Sequence, residues 1–477
     1  MKKLTDILKN TPVREVCGDT AAAIGGLVYD SRAVKPGDCF FAVPGTQSDG
    51  HDYIPIAVEK GAAAIVCERM PADAAEGVAY VLVGDSAGAM ADMAAAFYDY
   101  PSRELKLVGI TGTNGKTTTA TLLYDLVRAM GYKAGLISTV VYKIDGREVE
   151  ATHTTPDSIR LNAMMREMAD AGCAYCFMEC SSHAIVQERT RGLDFAGGIF
   201  SNITHDHLDY HKTFAEYIRA KKLFFDGLPK GAFALTNADD RNGRVMVQNT
   251  AAAVSAYSLR AMADFRCKIV EMHLDGMLLR IDGQELWVGL LGRFNAYNLL
   301  AVYGAAALLG LDRGEVLRVL SMLHAVSGRF EKIRAANGTT AIVDYAHTPD
   351  ALENVIQTIE EIRTPGQQLI VVCGCGGDRD RTKRPEMAAI AVKYATTAVF
   401  TSDNPRHESP EAILDDMVAG LEPGARYLRI ADRAEAIRTA VMLSRPGDII
   451  LVAGKGHETY QIVGDVKHPF DDREEIK

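Results

Sequence analysis

The sequence predicts an α/β protein of three domains, and three observations lead to this prediction. The chain has 477 residues, which is more than one hydrophobic core normally serves, so several domains are expected. From Leu105 onward, an apolar strand, a glycine-rich turn and a helix follow one another, as in a domain with a parallel sheet. After Gly328, strands and helices alternate again, which indicates a separate, Rossmann-like doubly wound domain. We therefore expect domains at residues 1–102, 103–328 and 329–477.

The first hundred residues contain short apolar segments between polar, turn-rich loops. Strands are predicted at residues 62–67 and 79–83, and an Ala- and Met-rich helix is predicted at about 87–98. Pro101 and Ser102 then mark the expected end of the first domain.

The composition excludes several classes of protein. Hydrophobic residues make up 48% and charged residues 24% of the chain, the balance of an ordinary globular protein. The net charge of −10 argues against a nucleic acid as main partner, because such binding needs clustered Lys and Arg. No apolar run is long enough to span a bilayer, and charges interrupt the N-terminal segment where a signal peptide would be apolar. We therefore expect a cytoplasmic protein without a membrane span, in which the nine cysteines are mostly small buried hydrophobic residues.

Residues 112–118 have the pattern and the context of a phosphate-binding loop. They read GTNGKTT and lie between an apolar strand and a helix. In such a loop, backbone N–H groups converge on phosphate oxygens, Lys116 neutralises the terminal phosphates, and the Thr117 hydroxyl binds Mg²⁺. The strict motif has glycine at position 110, where this chain has Ile110. The expected nucleotide contacts are Gly112, Thr113, Asn114, Gly115, Lys116, Thr117 and Thr118.

The loop alone predicts the nucleotide and not the reaction, because kinases, motors, GTPases and ligases share it. Glu179 ends the apolar segment YCFME, while His207 and Asp209 follow another apolar segment, GGIFSNI. Strand ends of this kind meet at one edge of an open α/β sheet, where ligands bind. Because Mg²⁺ prefers oxygen ligands, the residues alone leave His207 either as a ligand or as a structural histidine.

Two later regions complete the predicted architecture. Residues 254–291 alternate apolar and polar side chains, which predicts antiparallel strands before a helix that starts near Asn295. In the last third, further strands are predicted within the segments TTAIVDYAH, QQLIVVCGCGG, TAVFTSD and GDIILVAGKG.

Taken together, many spaced strings resemble the Mur ligases, a family of ATP-dependent enzymes that form amide bonds in peptidoglycan precursors. The strings are DSRAVKPGDCFFAVPGTQSDG, TGTNGKTT, TTPD, ECSSHAIVQERTRG, DHLDYH, YIRAKKLF, GRFNAYN, SGRFE, DYAHTPD, GCGGDRDRTKRP, TSDNPR and AGKGHE. The resemblance implies an N-terminal uridine-nucleotide-binding α/β domain, a central P-loop ATPase domain with a small antiparallel part, and a C-terminal amino-acid-binding domain. It also implies a monomer, and it accounts for Ile110, because the family loop reads TGTNGKT.

The resemblance implies a set of site residues, position by position. Lys116, Glu179, His207 and Lys221 would be catalytic, with Thr117, Glu179, His207 and Lys221 around Mg²⁺. Lys221 would act there as a carbamate, although Lys222 stands next to it. The residues contacting ATP would include Asn295, Asn298, Arg329 and Asp344. The uridine diphosphate would contact Ser31, Thr46, Gln47 and Ser48, and the phosphates and muramoyl peptide would contact Thr154, Thr155, Ser181, Gln187 and Arg189.

The string TSDNPR bears on which amino acid is added. Arg406 in TSDNPR offers a planar guanidinium that can bind a carboxylate through two hydrogen bonds. meso-Diaminopimelate has a carboxylate at its far end, and lysine has none. The resemblance implies ligation of meso-2,6-diaminopimelate to the D-glutamate carboxylate of UDP-N-acetylmuramoyl-L-alanyl-D-glutamate through an acyl phosphate. The matching set is Arg379, Asp403, Asn404, Pro405, Arg406, Gly454 and Glu458, with Glu458 suited to the distal ammonium.

Three alternatives remain beside this interpretation. An L-lysine-adding ligase, or a relative that joins glutamates to folate, would share most motifs. An unrelated P-loop ATPase, such as a motor or transporter subunit, would share Lys116 but would not explain the strings GCGGDRDRTKRP and DNPR.

Overall fold

The structure is a computed structural model. It describes residues 1–45, 48–151, 153–204, 206, 208–335 and 337–477, apart from the side chains of residues 208 and 209. The expected site residues Thr46, Gln47 and His207, and the side chain of Asp209, therefore lie outside the described part. In the described ranges, the larger sheets fall one in each of the three predicted regions.

The N-terminal region forms a sheet in which four parallel strands have one antiparallel edge strand. Its elements are β1 (Lys2–Lys3), α1 (Leu4–Ile7), β2 (Val13–Cys17), β3 (Ala23–Ile24), β4 (Leu27–Val28), β5 (Cys39–Phe41), α2 (Ile54–Glu59), β6 (Ala64–Cys67), β7 (Ala79–Val83) and α3 (Ser86–Phe97). The sheet order is β2-β7-β6-β5-β4. Helix α3 begins at an N-cap, Asp85, whose carboxylate accepts the N–H of Gly88, and it buries Met93 and Ala94. It lies one residue from its predicted bounds.

The central region contains a long mixed sheet. Its elements are β8 (Lys106–Thr111), α4 (Lys116–Ala129), β9 (Ala134–Ile137), β10 (Val141–Ile144), β11 (Arg147–Glu150), α5 (Ser158–Asp170), β12 (Tyr175–Glu179), α6 (Ser182–Val186), β13 (Gly197–Phe200), α7 (Leu208–His211), α8 (Phe214–Asp226), β14 (Phe233–Asn237), α9 (Gly243–Met246), β15 (Ala253–Ser258), β16 (Phe265–His273), β17 (Gly276–Ile281), β18 (Gln284–Val288), α10 (Arg293–Leu308) and α11 (Arg313–Leu320). Among the described residues, the strands of this sheet follow the order β11-β10-β9-β12-β8-β13-β14-β15-β16-β17-β18.

One prediction about this sheet was wrong. Strands β16, β17 and β18 are antiparallel to one another as expected, but β15 pairs parallel with β14 and, at two residue pairs, with β16. Alternating polarity reports that one face of a strand is buried, and it carries no information about the direction of the neighbouring strand. The antiparallel hairpin of β10 and β11, which extends the opposite edge, was not predicted.

The C-terminal region confirms the predicted doubly wound sheet. Its elements are β19 (Glu331–Arg334), β20 (Thr340–Asp344), α12 (Pro349–Ile362), β21 (Leu369–Cys373), α13 (Lys383–Tyr394), β22 (Thr397–Phe400), α14 (Pro410–Val418), β23 (Tyr427–Arg429), α15 (Arg433–Leu443), β24 (Ile449–Ala453), β25 (Tyr460–Val463), β26 (Val466–Pro469) and α16 (Asp472–Ile476). The order is β19-β20-β24-β21-β22-β23, parallel except for β19, and β25 and β26 form a separate hairpin.

Alternate residues of these strands enter two different cores, as a parallel sheet with helices on both faces requires. Ile342 packs in the core that contains Ile356 of α12, while its neighbour Val343 packs in the core that contains Ile437 of α15. The carboxyl ends of β20, β21, β22 and β24 are therefore left open between the two helix layers. Where the chain is described, no helix is long and apolar enough to cross a bilayer, and eight of the nine cysteines are buried.

A fully buried ion pair supports the loops at this open edge of the sheet. Arg433 donates to both carboxylate oxygens of Asp472, at 2.7 and 2.8 Å, and neither side chain is exposed. The same guanidinium donates to the carbonyls of Ser402 and Ala453, at 3.3 and 3.1 Å. Ser402 lies two residues after the end of β22, and Ala453 is the last residue of β24, so the ion pair fixes the start of both loops.

Asp472→Asn is expected to lower the free energy of unfolding by about 3–5 kcal/mol, because it leaves a buried guanidinium without its counter-charge. Urea unfolding of the purified protein measures this change. Glu474→Gln, on the same helix at an exposed position, is the matched control and is expected to change stability by less than about 0.5 kcal/mol. Equal losses of unfolding free energy in the two variants would contradict the stabilising role assigned to the ion pair.

Candidate active site

The phosphate-loop residues have a conformation that only glycine allows at two positions. Gly112 and Gly115 have φ values of 150° and 86°, and a Cβ on either would lie within 2.5 Å of a neighbouring side-chain oxygen. The Thr113 N–H donates to the Asn202 carbonyl at 2.8 Å, and the Asn114 N–H donates to the Asn202 side chain at 3.0 Å. The segment that follows β13 thus holds the loop at the N-terminus of α4.

Two lysines share one carbonyl of this loop. Lys116 Nζ donates to the carbonyls of Gly112 and Thr113, at 3.0 and 2.7 Å, and Lys221 Nζ donates to Gly112 at 2.7 Å. Burial, and then the charge of Lys116, lower the pKa of Lys221 well below its ordinary value. Burial also lowers the pKa of Lys116. The neighbouring Lys222 instead pairs with Asp226 at 2.6 Å, away from the loop.

A buried carboxylate and a hydroxyl supply oxygen atoms close to these lysines. Glu179 is the last residue of β12 and is 1% exposed. Its Oε1 accepts the Thr139 N–H at 2.7 Å, and its negative charge acts on Lys116. Thr117 Oγ1 accepts a hydrogen bond from Arg329 at 3.1 Å. Oxygen donors of this kind fit Mg²⁺, although among the described residues no three His, Cys, Asp or Glu side chains are placed to hold a metal ion together.

A cavity of about 340 Å³ opens in front of the loop, between the central and C-terminal regions. Expected nucleotide contacts from both regions line it, namely Asn114, Gly115, Thr118, Asn298, Arg329 and Asp344. Asn295 does not itself line the cavity. Its side-chain oxygen accepts a hydrogen bond from the Asn298 amide at 3.1 Å, which orients Asn298. Asp344 accepts the N–H groups of Phe330 and Ala346, yet burial raises its pKa.

A second cavity, of about 940 Å³, lies at the open edge of the C-terminal sheet. Thr154 of the central region lines it together with most of the expected amino-acid contacts, namely Arg379, Asp403, Asn404, Arg406, Gly454 and Glu458. Arg406 Nη1 donates to the Gly377 carbonyl at 2.8 Å, and burial, with the charge of Arg379, lowers its pKa. Pro405 is buried and does not line the cavity; its carbonyl accepts the Glu408 N–H.

The residues expected around the muramoyl peptide form one hydrogen-bonded group. Arg189 donates to the Thr155 carbonyl at 2.7 Å and to the Gln187 side chain at 2.6 Å. The Ser181 N–H donates to the Thr155 hydroxyl at 3.2 Å, and that hydroxyl donates to the carbonyl of Glu179 at 2.7 Å. This group is therefore connected to the backbone of Glu179, the residue that carries the buried carboxylate.

The N-terminal region approaches this group through Tyr29. Burial and the charge of Asp157 raise the tyrosine pKa, while the charge of Arg189 lowers it. Ser31 is buried at the start of the nearby 3₁₀ turn, and Ser48 is exposed, with its carbonyl accepting the Gly45 N–H at 2.9 Å.

Some lining residues were not singled out in the sequence. Asp350, in the first turn of α12, accepts hydrogen bonds from Asn114 at 3.0 Å and from Thr204 at 3.3 Å. Both cavities are lined by Thr204, Tyr345, His347 and Asp350. The only signal for Asp350 was its place in the string DYAHTPD, which also contained the expected contact Asp344. The two cavities meet at this group, so ligands in both would be in contact.

The fold and the site define a P-loop α/β enzyme in which a cavity in front of the phosphate loop adjoins a second cavity with many polar lining residues. Comparisons with family models give three matches: "Mur ligase family, catalytic domain" at residues 23–98, "Mur ligase middle domain" at 110–306, and "Mur ligase, glutamate ligase domain" at 328–456.

Full-length relatives agree with these matches. A protein of Phocaeicola vulgatus named UDP-N-acetylmuramoyl-L-alanyl-D-glutamate--2,6-diaminopimelate ligase is 55% identical over 477 residues, covering 100% of this chain and 99% of the relative. A protein of the same name from Bacteroides fragilis is 55% identical, with 100% and 98% covered. The chain belongs to the Mur ligase family, whose members are ATP-dependent ligases that form amide bonds.

Solved structures share the architecture. One, described as a UDP-N-acetylmuramoyl-L-alanyl-D-glutamate--2,6-diaminopimelate ligase, has a TM-score of 0.71 at 32% identity and covers 100% of this chain and 98% of its own. MurF of Thermotoga maritima in complex with ADP has a TM-score of 0.64 at 19% identity, with 91% and 94% covered, and shows the likeness of fold.

Proposed function

We propose that the protein joins meso-2,6-diaminopimelate to the D-glutamate carboxylate of UDP-N-acetylmuramoyl-L-alanyl-D-glutamate at the expense of ATP, in cytoplasmic peptidoglycan-precursor synthesis. The observation that carries this proposal is the larger cavity, which is lined by Arg406, Glu458 and Thr154 and adjoins the cavity in front of the phosphate loop. A guanidinium and a carboxylate in one wall match the distal carboxylate and ammonium of the diamino acid. The full-length relatives named for this reaction support it.

Each predicted domain has a role in this proposal. Residues 1–102 bind the uridine nucleotide, residues 103–328 bind ATP, and residues 329–477 bind the amino acid. Described residues of one chain line both cavities, which supports action as a monomer.

The reaction requires activation of a carboxylate, because oxide is too poor a leaving group for an amine to displace. The phosphate loop and Lys116 stabilise the charge on the phosphoryl group as it moves to the peptide carboxylate, giving an acyl phosphate. The amine of the diamino acid then attacks the acyl carbon, and phosphate leaves. His347 and Lys383 both line the larger cavity, near the acyl phosphate formed there.

Thr117, Glu179 and a carbamate on Lys221 would hold Mg²⁺, together with His207, which lies outside the described residues. Mg²⁺ supplies positive charge to the phosphate oxygens. Burial beside Lys116 favours the neutral amine of Lys221. A neutral amine attacks CO₂, forming an N–C bond and releasing a proton, and the product is an anion with two oxygen donors. Lys221 is thus suited to become a metal ligand.

Phosphate release tests the proposed function. Purified protein would receive ATP, Mg²⁺ and UDP-N-acetylmuramoyl-L-alanyl-D-glutamate, with meso-diaminopimelate, L-lysine or no amino acid. Release is expected only with meso-diaminopimelate, and the product should have the mass of the UDP-linked tripeptide. Release with lysine alone would make the protein a lysine-adding ligase, and release without any acceptor would make it a simple ATPase; either result would overturn the proposal.

A further inference from the structure

We propose that Lys455 is a positioning residue that sets the preference for the diamino acid by orienting Asn404 and neutralising Glu458. The proposal rests on the proposed function, because it concerns the same amino-acid cavity. Gly454 lines that cavity, and Lys455 directly follows it. The side chain of Lys455 is fully buried. Its ammonium donates to Asn404 Oδ1 at 2.9 Å and to Glu458 Oε2 at 3.1 Å.

The orientation of the Asn404 amide follows from its two donors. Lys455 Nζ and the backbone N–H of Ile462 both reach the same side-chain atom, each at 2.9 Å. An ammonium and a backbone N–H can only donate, so this atom must be the amide oxygen. The amide nitrogen is then forced toward Glu458, to which it donates at 2.9 Å. Lys455 and the Ile462 N–H together therefore determine which end of Asn404 faces the carboxylate.

Glu458 is held through one of its two oxygens. Oε2 accepts hydrogen bonds from both Lys455 and Asn404. Within the described residues, no hydrogen bond is donated to Oε1. The side chain of Glu458 is 13% exposed and lines the cavity. Because two fixed donors hold Oε2, Oε1 remains available to accept the distal ammonium of a substrate.

The charge of this pair bears on the choice between two diamino acids. Glu458 and Lys455 together carry no net charge, since one is an anion and the other a buried cation. With the Glu458 charge paired in this way, the lone ammonium of L-lysine gains little attraction there, whereas Arg406 in the same lining still attracts the distal carboxylate of meso-diaminopimelate. Removal of the Lys455 charge would leave Glu458 without the cation that donates to it, so its negative charge would attract the lone ammonium more strongly.

The test compares Lys455→Met with Lys393→Met, in steady-state assays of the whole protein. Lys393 lies on α13 of the same region, with a side chain that is 63% exposed. Lys455→Met is expected to lower kcat/KM for meso-diaminopimelate at least about tenfold, to raise relative use of L-lysine, and to change KM for ATP less than about twofold. Lys393→Met is expected to leave all three values as in the wild type.

A double-mutant cycle with Glu458→Gln separates positioning from a merely structural role. If Lys455 acts through Glu458, the two effects on meso-diaminopimelate will be non-additive, whereas a structural loss would add. An unchanged ratio of meso-diaminopimelate to lysine use, or equal losses for ATP and the diamino acid, would overturn the inference. If Lys455→Met does not fold, Asn404→Leu removes the hydrogen bonds of Asn404 with Lys455 and Glu458 and keeps the buried charge of Lys455. An unchanged KM for meso-diaminopimelate in that variant would also overturn the inference. Failure of the wild type to use meso-diaminopimelate would instead refute the proposed function.

Discussion

Replacement of Lys221 by arginine is expected to lower kcat by about a thousandfold, although arginine is also a long, basic side chain. Lys221 is buried beside a second lysine, and this burial favours its neutral amine. The neutral amine can take up CO₂, and the resulting carbamate can hold Mg²⁺ at the phosphates. A guanidinium stays protonated at any pH that a protein tolerates and cannot follow this route.

The measurement is kcat at saturating substrates, together with a ¹³C NMR spectrum of the protein in ¹³C-bicarbonate. The wild type is expected to show a carbamate resonance that the Lys221→Arg variant lacks. Lys222→Arg is the matched control, since Lys222 pairs with Asp226 and does not contact the loop. Its kcat should stay within about twofold of the wild type, because arginine can keep the ion pair with Asp226. Full activity of Lys221→Arg would show that a cation suffices, and loss of activity in Lys222→Arg would assign the role to the neighbouring residue.

Much of the fold could be predicted because local patterns determine it. The strand before the phosphate loop, the helix after it and the open C-terminal sheet each follow from runs of apolar residues and from glycine positions. Glu179 could be placed at a sheet edge because an apolar segment ends there. The direction of β15 could not be predicted, because both faces and both directions are compatible with its residues.

The contacts that complete the site lay beyond local patterns. Lys221 reaches the carbonyl of Gly112 from 109 positions away, and no periodicity in α8 indicates which carbonyl it meets. The family resemblance pointed to Lys221, but the shift of its pKa depends on the burial that folding brings about. Asp350 contacts Asn114 and Lys455 contacts Asn404, and both partners are far away in sequence, so local patterns indicated neither contact.

The larger cavity also leads to the sharpest specificity prediction. Arg406→Ala is expected to lower kcat/KM for meso-diaminopimelate by about 10²–10³-fold, because a site built to bind a polar group discriminates strongly through it. Arg406 has a φ of 50°, a left-handed conformation that strains alanine as much as arginine. The backbone is therefore expected to keep its shape, and the loss should come from the missing guanidinium. KM for ATP should change less than about twofold, because the nucleotide occupies the other cavity.

Two further variants identify the origin of that loss. Arg438→Ala is the matched control, since its side chain is 63% exposed on α15 and pairs with Glu475; its kinetics should equal those of the wild type. Arg406→Lys keeps the charge but loses the paired donors, so its kcat/KM should lie between the wild type and Arg406→Ala. Steady-state assays with meso-diaminopimelate and L-lysine give all the values needed. If Arg406→Ala lowers the use of both amino acids equally, the guanidinium does not bind the distal carboxylate, and the preference for the diamino acid must come from Glu458 and its partners.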